Sequence, residues 1–110
     1  MLNPNEIRDF RPPTWMGRRE KRAFNSVQKL RKSRNSPLKE TEIPVLIEYV
    51  RTMVRIETLQ AIFDDDDRRM RTSRDASVKS RLIATARQID ASTKLAQGLW
   101  DRLICTVVAQ

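Results

Sequence analysis

Three observations predict an all-α protein: a hairpin of long helices with a basic N-terminal helix and a short apolar C-terminal tail, oligomeric in its working form. Apolar residues recur at helical spacing over three long stretches, only two glycines (Gly17 and Gly98) interrupt the chain, and the middle stretch holds more apolar residues than one surface stripe can use. At 110 residues the expectation is a single helical domain at 14–102, preceded by a flexible arm at 1–13 and followed by a tail at 103–110.

The arm, MLNPNEIRDFRPP, has three prolines, few aliphatic residues and no period, and is expected to be extended. Thr14 is the expected cap of a first helix at about 14–32. Its Met16, Ala23, Phe24, Val27 and Leu30 lie near one face, and Arg18, Arg22, Lys29 and Lys32 share another. This basic face is either a solvated surface over an ordinary core stripe or a nucleic-acid contact. Ser33 to Lys39 forms the connector, with Ser36 and Pro37 supplying the turn.

The second helix is expected at about 41–63, roughly 35 Å long at 1.5 Å per residue. Pro44 is tolerated in its first turn, where N–H groups lack intrahelical partners. Its apolar positions cover more than one side, so Tyr49, Val50, Met53, Ile56 and Leu59 are candidate oligomer-interface residues; a central helix inside one domain is the plainer alternative. Asp64 to Asp67 are expected to end this helix, because acids at a helix C-terminus oppose its dipole. As a cation site the run is disfavoured by geometry, and an acidic patch that repels DNA from one surface is the better functional reading.

A third helix at about 73–97 should start at Ser73 or Ser77 and stop at Gly98 in the left-handed position that follows many helices. Val78, Leu82, Ala86, Ile89, Thr93 and Ala96 form its stripe, widened by Ile83 and Leu95. The apolar end LWDRLICTVVAQ must dock, either on its own helices or, through Trp100, Leu103 and Ile104, on a partner.

Composition narrows the chemistry. With no histidine and one cysteine, Cys105, the chain has neither the usual general base nor a thiolate or imidazole metal cage, and no intramolecular disulfide. Two glycines cannot build a phosphate loop or a dinucleotide fingerprint. The expectation is a non-enzyme without catalytic residues, metal or cofactor. No apolar run approaches the roughly 18 residues of a membrane span and the polar start has no signal-peptide core, so a reducing cytoplasm is expected. The formal net charge of +8 is confined to residues 1–39, which hold eleven Lys/Arg and three acids, while residues 40–110 hold eleven of each. A polyanion-facing N-terminal part on a charge-balanced scaffold, or a solubility device, fits this asymmetry.

One arrangement has a familiar order. Pro12 and Pro13 precede a basic helix with an aromatic at Ala23-Phe24, and a Ser-Pro-Leu turn at Ser36 to Leu38 leads into a long helix with Tyr49 in its first half. A further helix then ends in Leu95, Gly98 and Leu99. From about Pro12 to Arg102 the chain resembles the P27-like family of small terminase subunits of tailed phages, prophages and gene transfer agents. The family's usual proline after the Gly-Leu pair is replaced here by Trp100-Asp101-Arg102. The resemblance implies a ring-like homo-oligomer in a bacterial host cell. It would engage double-stranded DNA and deliver it to a large terminase subunit that holds ATPase and nuclease; the charge map, with the net +8 in residues 1–39, predicts that this binding is weak and mainly without sequence preference. The basic first helix, with Arg18, Arg19, Lys21, Arg22, Lys29 and Lys32, is the DNA-binding candidate, and Met53 and Ile56 lie in the matching oligomerising hairpin.

The alternative is a small helix-turn-helix transcriptional regulator or antitoxin. That motif needs a base-reading helix after its turn, where this chain places Glu40, Glu42, Glu48 and Glu57 among apolar residues. No helix is expected to present Asn, Gln and Arg together as a base-reading face, so phosphate contacts should dominate.

Overall fold

The computed structural model describes residues 10–72 and 75–105, and every regular element among them is helical: α1 (Arg18–Ser33), a 3-10 turn (Glu40–Glu42), α2 (Ile43–Thr72), α3 (Ala76–Trp100) and a π-helical turn (Asp101–Cys105). The chain divides into two units, one of Met1–Val50 with Leu99–Gln110 and one of Arg51–Gly98.

In the first unit α1 starts at Gly17, not at the expected Thr14. Thr14 and Trp15 form a turn closed by Met16 N donating to Pro13 O at 3.1 Å, which leaves Gly17 as N-cap with Glu20 Oε1 accepting from its N–H at 3.3 Å. The expected free arm is also shorter than 1–13: residues 1–9 lie outside the described residues, but Phe10 is anchored. Its N–H donates to Gln28 Oε1 at 2.7 Å and its carbonyl accepts from Gln28 Nε2 at 2.8 Å.

α1 ends in a hydrogen-bonded reversal. Asn35 takes a left-handed φ of 56°, a position asparagine tolerates, and Asn35 N and Ser36 N donate back to Lys32 O and Arg31 O, each at 3.0 Å. The turn expected at Ser36-Pro37 therefore falls two residues earlier, at Arg34-Asn35. Phe24 and Val27 of α1, Leu46 and Val50 of α2 and Leu103 and Ile104 of the π-helical turn close the core of this unit. Tyr49 stacks obliquely on Trp100 beside it, with ring centroids 5.5 Å apart.

Arg31, 0% exposed, lies within this core. Its Nε donates to Ser36 O at 2.7 Å, Nη1 to Glu42 Oε2 at 2.7 Å and to Leu103 O at 2.8 Å, and Nη2 to Glu42 Oε1 at 3.0 Å and Ser36 Oγ at 3.5 Å. All five guanidinium N–H donors are used, which is what a buried arginine requires. The same guanidinium, first through its hydrogen bonds and then through its charge, holds the Glu42 carboxyl below its ordinary value of 4.5 against the opposing effect of burial.

In the second unit α2 continues to Thr72, nine residues past the expected end at Phe63, so the charged-loop expectation for Asp64 to Asp67 is wrong. The acids are stabilised inside the helix by residues three or four positions on: Asp65 pairs with Arg68 at 3.8 Å and Arg69 at 3.3 Å, and Asp67 with Arg71 at 3.2 Å. Arg69 and Arg71 then sit in the last turn, where cations suit the dipole. Asp66, 2% exposed, faces α3, where Arg81 grips it with Nε at 3.0 Å and Nη2 on the other oxygen.

The cap of α3 is Asp75, neither Ser77 nor Ser73, which is outside the described residues. Asp75 Oδ1 accepts from Ser77 N and Ser77 Oγ, each at 2.9 Å. Val78, Thr85, Ser92 and Ala96 are buried along α3, with Leu82 and Ile89 half-buried at the intervening positions; Ile83 and Leu95 do not widen this stripe but stay 48% and 43% exposed. Gly98 does not end the helix. α3 runs to Trp100, no glycine has a positive φ, and a Cβ at Gly98 would meet nothing within 4 Å.

Two stability changes follow. Arg31→Ala should destabilise the fold by about 3 kcal/mol in urea denaturation, because it strands a partly covered carboxylate and two carbonyls. Glu42 has a depressed folded pKa, so its stabilisation is complete above about pH 4.5 and is lost as pH falls through the depressed value; the variant should lack this acid-sensitive component. Gly98→Ala should raise stability by about 0.5–1 kcal/mol, the gain of alanine over glycine inside a helix, whereas a left-handed cap at Gly98 would make the same change destabilising.

Candidate nucleic-acid interface

Successive helical residues are about 100° apart, so the inward set Phe24, Val27 and Arg31 leaves the opposite side of α1 to Arg18, Arg22, Asn25 and Lys29. Those four are exposed, as are Arg19 and Lys21 beside them, and Lys32 is half-buried. Arg18 to Lys29 covers roughly 16 Å of helix. An open recess on this side is lined by Arg22, Asn25, Ser26, Lys29 and Lys32.

The cations of this face differ from those at the end of α2. Arg18, Lys21, Arg22 and Lys29 have no hydrogen-bond or ion-pair partner among the described residues, whereas Arg68, Arg69, Arg71 and Arg81 each hold an aspartate. The first group is open to an external anion; the second is largely neutralised. The arrangement can bind phosphates by charge and by guanidinium hydrogen bonds. Among the described residues no three His, Cys, Asp or Glu side chains group as a metal site. No helix among them is long and apolar enough to cross a membrane.

The six proposed DNA contacts therefore all belong to α1, and five of them are exposed. The other candidate sets are dispersed. Val50 is 0% exposed and belongs to the first unit's own core, and Tyr49 is occupied by Trp100. Ile56 and Leu59, half-buried, keep three-to-four spacing with Asp66, so they lie on the face that α2 turns to Arg81, and only Met53 stands to one side. Leu103 and Ile104, 1% and 2% exposed, are core residues and cannot serve as a partner surface; Thr106 to Gln110 lie outside the described residues.

Sequence reasoning missed Arg31, counted only as one more positive charge. Its signal was positional, since it shares the inward face with Phe24 and Val27. Arg22 and Asn25 line the same recess, while Gln28 is turned inward to Phe10, so α1 does not present Asn, Gln and Arg together.

The chain matches no protein-family model, no curated protein and no solved structure.

With three or four phosphates held per subunit, affinity for a duplex should fall on the order of a hundredfold between about 50 and 200 mM salt, read as a log-log slope of roughly −3 in fluorescence anisotropy. A slope near zero would show that the cations of α1 do not meet phosphates.

Proposed function

We propose that this chain is a DNA-binding adaptor that works as a homo-oligomer, after the manner of the small terminase subunits of viral DNA packaging. In this reading α1 holds the duplex backbone, the paired segments of α2 and α3 act as the hairpin that joins subunits, and a large terminase subunit supplies the ATPase and nuclease. The observation that carries it is the row of exposed cations on α1, of which Arg18, Lys21, Arg22 and Lys29 have no partner among the described residues, set on a chain whose later acids and arginines neutralise each other.

Self-association is supported by large apolar residues left on the surface of the second unit, Ile62 at 45%, Ile83 at 48% and Leu95 at 43% exposure. Each subunit offers few cations, so joining them in one assembly multiplies weak contacts through effective concentration. A helix-turn-helix regulator is less well supported: the helix that follows the turn, α2, puts Leu46 and Val50 into the core, and the 3-10 turn before it puts Glu42 onto Arg31.

Changing Arg18, Arg19, Lys21 and Arg22 together to Glu should abolish binding to duplexes of every sequence while helicity and oligomer mass persist. Unchanged binding would refute the role of α1. Light scattering of the parent should give a mass above that of a dimer, and a monomer at micromolar concentration would contradict the assembly. Ile62→Lys with Leu95→Lys should lower the mass with little loss of helical signal, since both sites are solvent-facing.

A further inference from the structure

The outer face of α1 holds one side chain that phosphate binding does not explain. Asn25 stands between Arg22 and Lys29 in the exposed row, where it adds no charge, and asparagine is a poorer helix former than the lysine and arginine around it. It is nonetheless held in place. Gln28 Nε2 donates to Asn25 Oδ1 at 3.4 Å, and Gln28 is itself 5% exposed and locked by its two bonds to the Phe10 backbone. Phe10 N is a donor, so the end of the Gln28 amide that receives it is the oxygen, and the end left for Asn25 is the nitrogen. That in turn fixes which end of the Asn25 carboxamide is Oδ1. Asn25 Nδ2 has no acceptor among the described residues, and Oδ1 retains a second lone pair. Its neighbour Ser26 is less available, because its hydroxyl already donates to Arg22 O at 2.8 Å.

A pre-oriented carboxamide with a donor and an acceptor open, flanked by cations one turn away on either side, has the chemistry of an adenine reader. In the major groove, which admits an α-helix, adenine offers N7 as acceptor and its N6 amino group as donor, the complement of Nδ2 and Oδ1. We propose that Asn25 is a base-reading residue, pairing bidentately with one adenine while Arg18, Arg22 and Lys29 hold the flanking phosphates. The proposal rests on the DNA-binding reading above and adds to it a preference for one base pair. A single reader of this kind is worth about fivefold to a hundredfold in affinity, which leaves binding to other sequences intact.

The test is selection by the full chain from a pool of randomised duplexes, followed by anisotropy with the preferred duplex and with the same duplex changed at the enriched position. One A·T pair should be enriched, and changing it should weaken the parent about fivefold to a hundredfold. Asn25→Ala, at an exposed helical position where alanine is favourable, should keep its circular dichroism, bind both duplexes alike and retain the parent's affinity for the changed one. An unenriched pool, or an Asn25→Ala protein with the parent's preference, would overturn the base-reading role while leaving phosphate binding standing. Failure of the parent to bind any duplex at low salt would remove both.

Discussion

The burial of the Arg31 guanidinium constrains the first unit more tightly than any apolar contact in it. A charged group at 0% exposure is tolerated only when every donor is satisfied, and the partners that satisfy this one come from three places in the chain: Ser36 of the connector, Glu42 of the 3-10 turn and Leu103 of the π-helical turn. Apolar packing around Phe24 would accept several rotations of α1 about its axis. The fork of Arg31 accepts one. Once Arg31 is inward, the helical period puts Arg18, Arg22, Asn25 and Lys29 outward, so a buried cation orients the exposed ones. The net stability such a pair adds over an apolar substitute is often small, and its value here is the specification of one arrangement.

The same logic of satisfied charge separates the two ends of the chain. Four consecutive aspartates look like a helix stop because propensity and dipole both oppose them there. In α2 Asp65 and Asp67 are carried by Arg68, Arg69 and Arg71 at helical spacing and Asp66 by Arg81 from α3, while Asp64 accepts from Gln60. The short-range pairs on the surface are each worth a few tenths of a kcal/mol, and together they extend the helix by more than two turns beyond its last aromatic. Asp66 differs, because it is covered and its partner comes from another helix, and Arg81 holds its carboxyl below the ordinary value of 3.8 mainly by hydrogen bonding. The consequence is a scaffold whose charges cancel locally, so the net +8 of the chain is confined to residues 1–39, with most of its cations on α1.

The helical class, the three long helices and the division into a basic first third and a balanced remainder were all legible in the sequence, because they depend on period and composition. What escaped depended on long-range partners. Nothing near Glu42 in sequence announces Arg31, and nothing near Leu103 announces that its carbonyl is needed, so the tail is open to two readings in the sequence, and the structure puts Leu103 and Ile104 in the core of the first unit. Gly98 was misjudged for a related reason: a glycine near the end of an apolar pattern usually caps it, but Leu99, Leu103 and Ile104 are buried beyond it and keep the chain helical. Asn25 was passed over because a lone polar residue on a charged face carries no signal until Gln28 is seen to hold it.

The account stands on α1 being the surface that meets DNA. Amide and side-chain resonances of isotopically labelled protein, followed by NMR during titration with a short duplex at low salt, test this most directly. The account requires the largest shifts at Arg18, Arg22, Asn25 and Lys29, with Arg31 Nε and the arginines paired to Asp65, Asp66 and Asp67 nearly unmoved. Shifts concentrated at Arg68, Arg69 and Arg71, or none along α1, would contradict it.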